Sequence, residues 1–79
     1  MTVQVKVFAH LRERLGFAER SLELPEGATV AGVWEAMSGE AELPSHVLAA
    51  VNLGYAEPDD LVSDGDEVAF FPPVTGGSR

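Results

Sequence analysis

The chain closes on Pro72-Pro73-Val74-Thr75-Gly76-Gly77-Ser78-Arg79. The prolines stiffen the base of this segment. The Gly76-Gly77 pair carries no side chains, so it can thread a narrow channel at little steric cost. Such a tail suits one kind of chemistry, in which an enzyme acts on a backbone carboxylate delivered deep into its own active site. A frayed terminus can also hold two glycines by chance, so the tail alone leaves both readings open.

Other chemistry has less footing. The chain has no cysteine, which removes disulfides, iron–sulfur clusters, thiol nucleophiles and Cys-based zinc sites. His10 and His46 are far apart in sequence, and no metal site is expected from them. Asp59, Asp60, Asp64, Asp66 and Glu67 form an acidic cluster, but Leu61-Val62-Ser63 breaks the spacing of a calcium loop. Asp64-Gly65-Asp66 is more simply a tight turn, because these residue types tolerate the backbone angles a turn needs. Glycine-rich phosphate loops are absent, and no serine lies in a G-x-S-x-G context. Nothing in the sequence makes a self-contained catalytic site.

The elements that would carry these residues follow from periodicity. Residues 2–9 alternate, with Val3, Val5 and Val7 on one side and Gln4, Lys6 and Phe8 on the other, as in a half-buried strand. Residues 10–15 form a short helical turn with Leu11 and Leu15 four apart, stopped by Gly16. A second strand spans 21–24 and ends at Pro25-Glu26-Gly27. Thr29 caps a helix whose apolar stripe is Val30, Val33, Trp34 and Met37, with Gly39 after its last turn. Gly32 inside that helix has no evident reason in the sequence. Residues 47–53 read as a strand, 54–58 as a loop and 60–63 as a connecting stretch. Residues 67–71 are the last strand, with Val68 and Phe70 inward and Glu67, Ala69 and Phe71 outward. Pro72-Pro73 ends it, since neither residue can donate to a ladder.

The order strand, strand, helix, strand, strand predicts an α+β domain of the β-grasp type, with one main helix packed on one face of a mixed sheet. The segment before the last strand is too short for the second full helix of a ferredoxin-like fold. Residues 1–79 are expected to form a single domain, with 72–79 as a flexible tail. In a β-grasp sheet the first and last strands are neighbours. Phe8 and Phe71 should then lie close together on the face away from the helix, which suggests a partner surface unless a loop covers them.

Charge narrows the partners. Five Lys and Arg stand against 13 Asp and Glu, a net charge of −8. Residues 21–78 contain no Lys or Arg but 11 acids. Such a surface repels phosphate backbones, so nucleic acid is not an expected partner, whereas a basic protein surface is. The charge could also serve solubility alone. No apolar run approaches the ~18 residues of a membrane span, and Met1-Thr2-Val3-Gln4 lacks the pattern of a signal peptide. A soluble cytoplasmic protein is expected.

The run from Leu61 through Asp64-Gly65-Asp66-Glu67-Val68-Ala69-Phe70-Phe71-Pro72-Pro73-Val74-Thr75-Gly76-Gly77 resembles the C-terminal signature of the small subunit of molybdopterin synthase, a ubiquitin-like sulfur carrier family. Val7-Phe8-Ala9, the Arg12-Glu13-Leu15-Gly16 pattern and Ala49-Ala50-Val51-Asn52 match as well, so the similarity covers nearly the whole chain. The resemblance implies that an ATP-using, ubiquitin-activating-like enzyme adenylates the carboxylate of Gly77. Sulfur from a persulfide then displaces the adenylate, leaving a thiocarboxylate. The loaded tail enters the large subunit and donates sulfur to the pterin precursor of the molybdenum cofactor. By the same resemblance Gly77 carries the sulfur and Gly76 gives a slim approach. Phe8, Phe71, Pro72, Pro73, Val74 and Thr75 contact partners. The resemblance also implies that the chain itself binds no metal or cofactor and is not catalytic alone, ATP being used by the activating enzyme.

One departure stands out. The family's carrier ends at the second glycine, whereas Ser78-Arg79 follow here. Gly77 therefore sits in an amide, whose nitrogen is a poor leaving group. Either a peptidase trims the tail, or the chain belongs to a longer fusion with the large subunit, or the last two residues are foreign to the native chain. Other uses of the fold are a carrier for another thio-transfer pathway, a protein modifier joined to lysines through Gly77, and a binding module with an idle tail.

Overall fold

The computed structural model describes residues 1–73. In chain order the elements are β1 (Thr2–Val7), α1 (His10–Leu15), β2 (Glu19–Glu23), α2 (Val30–Ser38), β3 (Leu48–Val51), β4 (Gly54–Ala56) and β5 (Glu67–Phe71). The strands form one sheet in the order β2-β1-β5-β3-β4. β1 and β5 run parallel at its centre, and the remaining neighbours are antiparallel. This is the expected β-grasp arrangement, a mixed sheet with the main helix on one face.

The core follows from the two periodicities. Val3, Val5 and Val7 of β1 and Val68 and Phe70 of β5 are buried on one face of the sheet. The α2 stripe of Val30, Val33, Trp34 and Met37 packs into the same cluster. Each fully buried side chain of this size contributes about 1.5–3 kcal/mol, which is what holds a nine-residue helix that would be marginal alone. The helix ends are closed locally. The Thr29 hydroxyl accepts from Gly32 N–H at 3.1 Å, and Gly39, at φ 84°, donates its N–H to Glu35 O.

Several boundaries differ from the sequence reading. β1 stops at Val7 rather than residue 9, because the backbone breaks from extended geometry at Ala9 (φ 56°, ψ −140°) to start α1. β2 begins two residues earlier, where Glu19 and Arg20 pair with Lys6 and Val5. β3 is confined to Leu48–Val51, since Asn52 and Leu53 both have positive φ. The expected loop at 54–58 is not all loop: Gly54–Ala56 pairs antiparallel with residues 49–51 as edge strand β4. The stretch at 60–63 ties back to the start of α2, where Leu61 bridges Thr29 and Val62 N–H donates to Ala28 O.

Candidate functional site

The outer face of the sheet divides in two. Along β1 and β2 it is polar: Gln4 Nε2 donates to Ser21 Oγ at 2.8 Å, and the Thr2 hydroxyl donates to Glu23. Lys6 Nζ lies 3.6 Å from Glu67 Oε1 across β1 and β5. Along β5, β3 and β4 the face is apolar. Ala69, Ala50 and Tyr55 lie side by side in register, and Phe71 lies opposite Leu48.

Phe8 and Phe71 both line one groove of about 370 Å³ on this apolar half. The expectation that the alternation brings them to a common surface is met. Phe8 is 46% exposed and Phe71 half-buried. Tyr55 stacks obliquely on Phe71, with ring centroids 6.0 Å apart, and is itself 80% exposed. Leu53, at the tip of the β3–β4 hairpin, is 90% exposed and lines the same groove. Among the described residues nothing covers this patch, which has the composition of a docking surface: aromatic at its centre, with the Lys6–Glu67 pair at its margin.

Tyr55 and Leu53 are site residues that the sequence reading passed over. Tyr55 fell in a supposed loop, where alternation gives no orientation. The usable signal is its spacing from Asn52, the first residue of the turn.

The acidic residues serve the backbone. Asp64 Oδ1 accepts from Thr2 N–H at 2.7 Å, Asp66 Oδ2 from Ser63 N–H at 2.8 Å, and Asp60 Oδ2 from Glu57 N–H at 2.9 Å. Gly65, at φ 87°, completes the turn expected at 64–66. Among the described residues no group of three or more His, Asp or Glu side chains is arranged to hold a metal ion. No helix among them is long and apolar enough to cross a membrane.

β5 delivers the chain directly from this groove into the tail. Pro72 is half-buried and Pro73 exposed, both past the end of the strand. Val74, Thr75, Gly76, Gly77 and the final Ser78-Arg79 lie outside the described residues, as does most of the expected tail. What the geometry supplies is therefore an exposed apolar groove immediately upstream of Pro72-Pro73.

The family model described as the ThiS family matches residues 5–77. The chain is similar to the molybdopterin synthase sulfur carrier subunit of Escherichia coli (strain K12), at 37% identity, covering 95% of this chain and 99% of that one. It is similar to the protein of the same description from Chlamydomonas reinhardtii, at 35% identity, covering 98% and 100%. Among solved structures it is similar to the small archaeal modifier protein 1 of Haloferax volcanii, with a TM-score of 0.82 and 28% identity, covering 92% and 98%.

Proposed function

The chain belongs to the ThiS family, and from that premise we propose that it is the sulfur carrier subunit of a molybdopterin synthase, loaded at Gly77. The observation that carries this reading is a family match that runs through Gly77, together with 37% identity to a carrier subunit over nearly the full length of both chains.

The chemistry then follows from the tail. Removal of Ser78-Arg79 by a peptidase frees the Gly77 carboxylate. A carboxylate is a poor electrophile, so an ATP-dependent adenylating enzyme joins it to AMP and releases pyrophosphate. A persulfide sulfur attacks the activated carbonyl, and AMP leaves. A thiol cleaves the resulting S–S bond, and the thiocarboxylate remains on Gly77. The large subunit receives this tail and takes the sulfur for the pterin precursor. Gly76 keeps the approach slim, while Phe8, Phe71, Pro72, Pro73, Val74 and Thr75 form the docking side. The chain contributes no catalytic side chain of its own; it carries the sulfur and binds. Activation consumes ATP, and a cytoplasmic setting supplies it.

The excess of acids over residues 21–78 supports partners with basic grooves. The test is the intact mass of the protein isolated from cells making molybdenum cofactor. The expected species lacks Ser78 and Arg79 and has one oxygen replaced by sulfur. A single species ending in Arg79 would overturn the reading.

A second reading has its own support in the likeness to a small archaeal modifier protein. In it Gly77 ends in an isopeptide bond to a lysine of another protein. Peptide mapping separates the two: Gly77 on target lysines marks a modifier, and a free thiocarboxylate marks a carrier.

A further inference from the structure

The β3–β4 hairpin closes on two residues, Asn52 and Leu53, between the paired Val51 and Gly54. Both lie in the left-handed region, at φ 51° and 74°. That pattern belongs to the type I′ turn, where Asn and then Gly are favoured. Asn52 fits. Leu53 does not, because its Cβ crowds the backbone at positive φ and glycine would relieve it.

The turn is also fixed in place. Asn52 N–H donates to Glu67 O at 2.8 Å, and Glu67 N–H donates to Asn52 Oδ1 at 3.0 Å. Asn52 Nδ2 donates to Asp66 Oδ1 at 3.0 Å. Three hydrogen bonds thus bolt the hairpin to the start of β5, and the Leu53 side chain projects from it 90% exposed. A strained backbone and an exposed apolar side chain both disfavour leucine in the free protein. Neither contributes to its fold.

We propose that Leu53 is a docking anchor for the large subunit, a preorganised knob that enters an apolar pocket on that partner beside the groove of Phe8, Tyr55 and Phe71. The proposal rests on the sulfur-carrier reading above. Two observations select this occupant. The groove lies on β5, and Gly77 is six residues beyond Phe71, a reach of at most ~22 Å, so the subunit that takes sulfur from Gly77 comes within that distance of the groove. Apart from Phe8, the residues of the groove belong to the stretch 21–78, which has 11 acids and no Lys or Arg, and this favours a partner with basic side chains about its apolar pocket.

The test is calorimetric titration of residues 1–77, the chain trimmed after Gly77, against its large subunit, with three variants. Leu53→Gly weakens binding about tenfold or more, as loss of a buried anchor does, and raises the melting temperature of the free chain. Leu53→Ala weakens binding similarly without that rise, since alanine keeps the left-handed penalty. Phe71→Arg abolishes binding by placing an unpaired charge in the groove. Unchanged affinity in both Leu53 variants, with binding lost in Phe71→Arg, overturns the anchor and leaves the docking face standing. Unchanged affinity in all three overturns the docking face itself. A free chain that sediments as a dimer, becomes monomeric in Leu53→Gly and keeps its affinity for the large subunit assigns Leu53 to a second copy and overturns the proposal.

Discussion

The rings of Trp34 and Phe70 meet edge to face, with centroids 5.1 Å apart and planes inclined by 64°. Both are fully buried, and the contact joins α2 to β5. On the helix side Trp34 Nε1 donates to Glu40 Oε1 at 3.1 Å, and the other oxygen of Glu40 engages Arg14 after α1 has brought it near. On the strand side Phe70 precedes Phe71, which faces the groove. The core ring therefore fixes the strand that presents Phe71 to the groove.

Phe70→Ala is expected to cost about 3–5 kcal/mol, the range for emptying a large core site. Small domains hold only about 5–15 kcal/mol in total. Chemical denaturation should show most of the stability gone. A loss under 1 kcal/mol would mean that the Trp34 contact does not organise the core.

Asn52→Ala is expected to destabilise by about 1–3 kcal/mol. It removes the side-chain hydrogen bonds to the Asp66 carboxylate and to the Glu67 N–H at the start of β5, and leaves alanine in a left-handed conformation. A shift in denaturation midpoint at constant slope measures it. An unshifted midpoint would mean the hairpin is held by its ladder alone.

Gly32→Ala is expected to stabilise by about 0.5–1 kcal/mol. A Cβ there would meet Thr29 Oγ1 at 3.5 Å and Ala28 Cβ at 4.0 Å, which are ordinary contacts. The melting temperature should rise, with no change in binding to the large subunit, because α2 lies on the other side of the sheet. A fall would show that the Thr29 cap cannot tolerate the methyl.

Association with a basic partner should be salt-dependent. Raising ionic strength from about 0.05 to 0.5 M is expected to slow association by about tenfold, while dissociation changes little. Stopped-flow mixing reads both rates. A flat association rate would separate the acidic surface from recognition.

The sequence shows best what long repeats encode. The alternation of Val3, Val5 and Val7, the α2 stripe with its Thr29 and Gly39 caps, and the inward Val68 and Phe70 are all found where periodicity puts them. β4 escapes because three residues cannot display a period of two, and Pro58 follows closely. Its turn escapes because leucine occupies the place where glycine would have announced a hairpin. The site divides the same way. Phe8 and Phe71 are legible from strand alternation, while Tyr55 and Leu53 depend on a hairpin that only the folded backbone reveals.

Lys6 is the only lysine in the 79 residues, and Glu67 stands 3.6 Å from it. A glycine carbonyl activated for attack endangers every nearby amine, including those on sibling molecules awaiting the same treatment. This chain offers its siblings a single side-chain amine, that of Lys6. A pool of loaded carriers therefore presents few side-chain amines at which one copy can be joined to another.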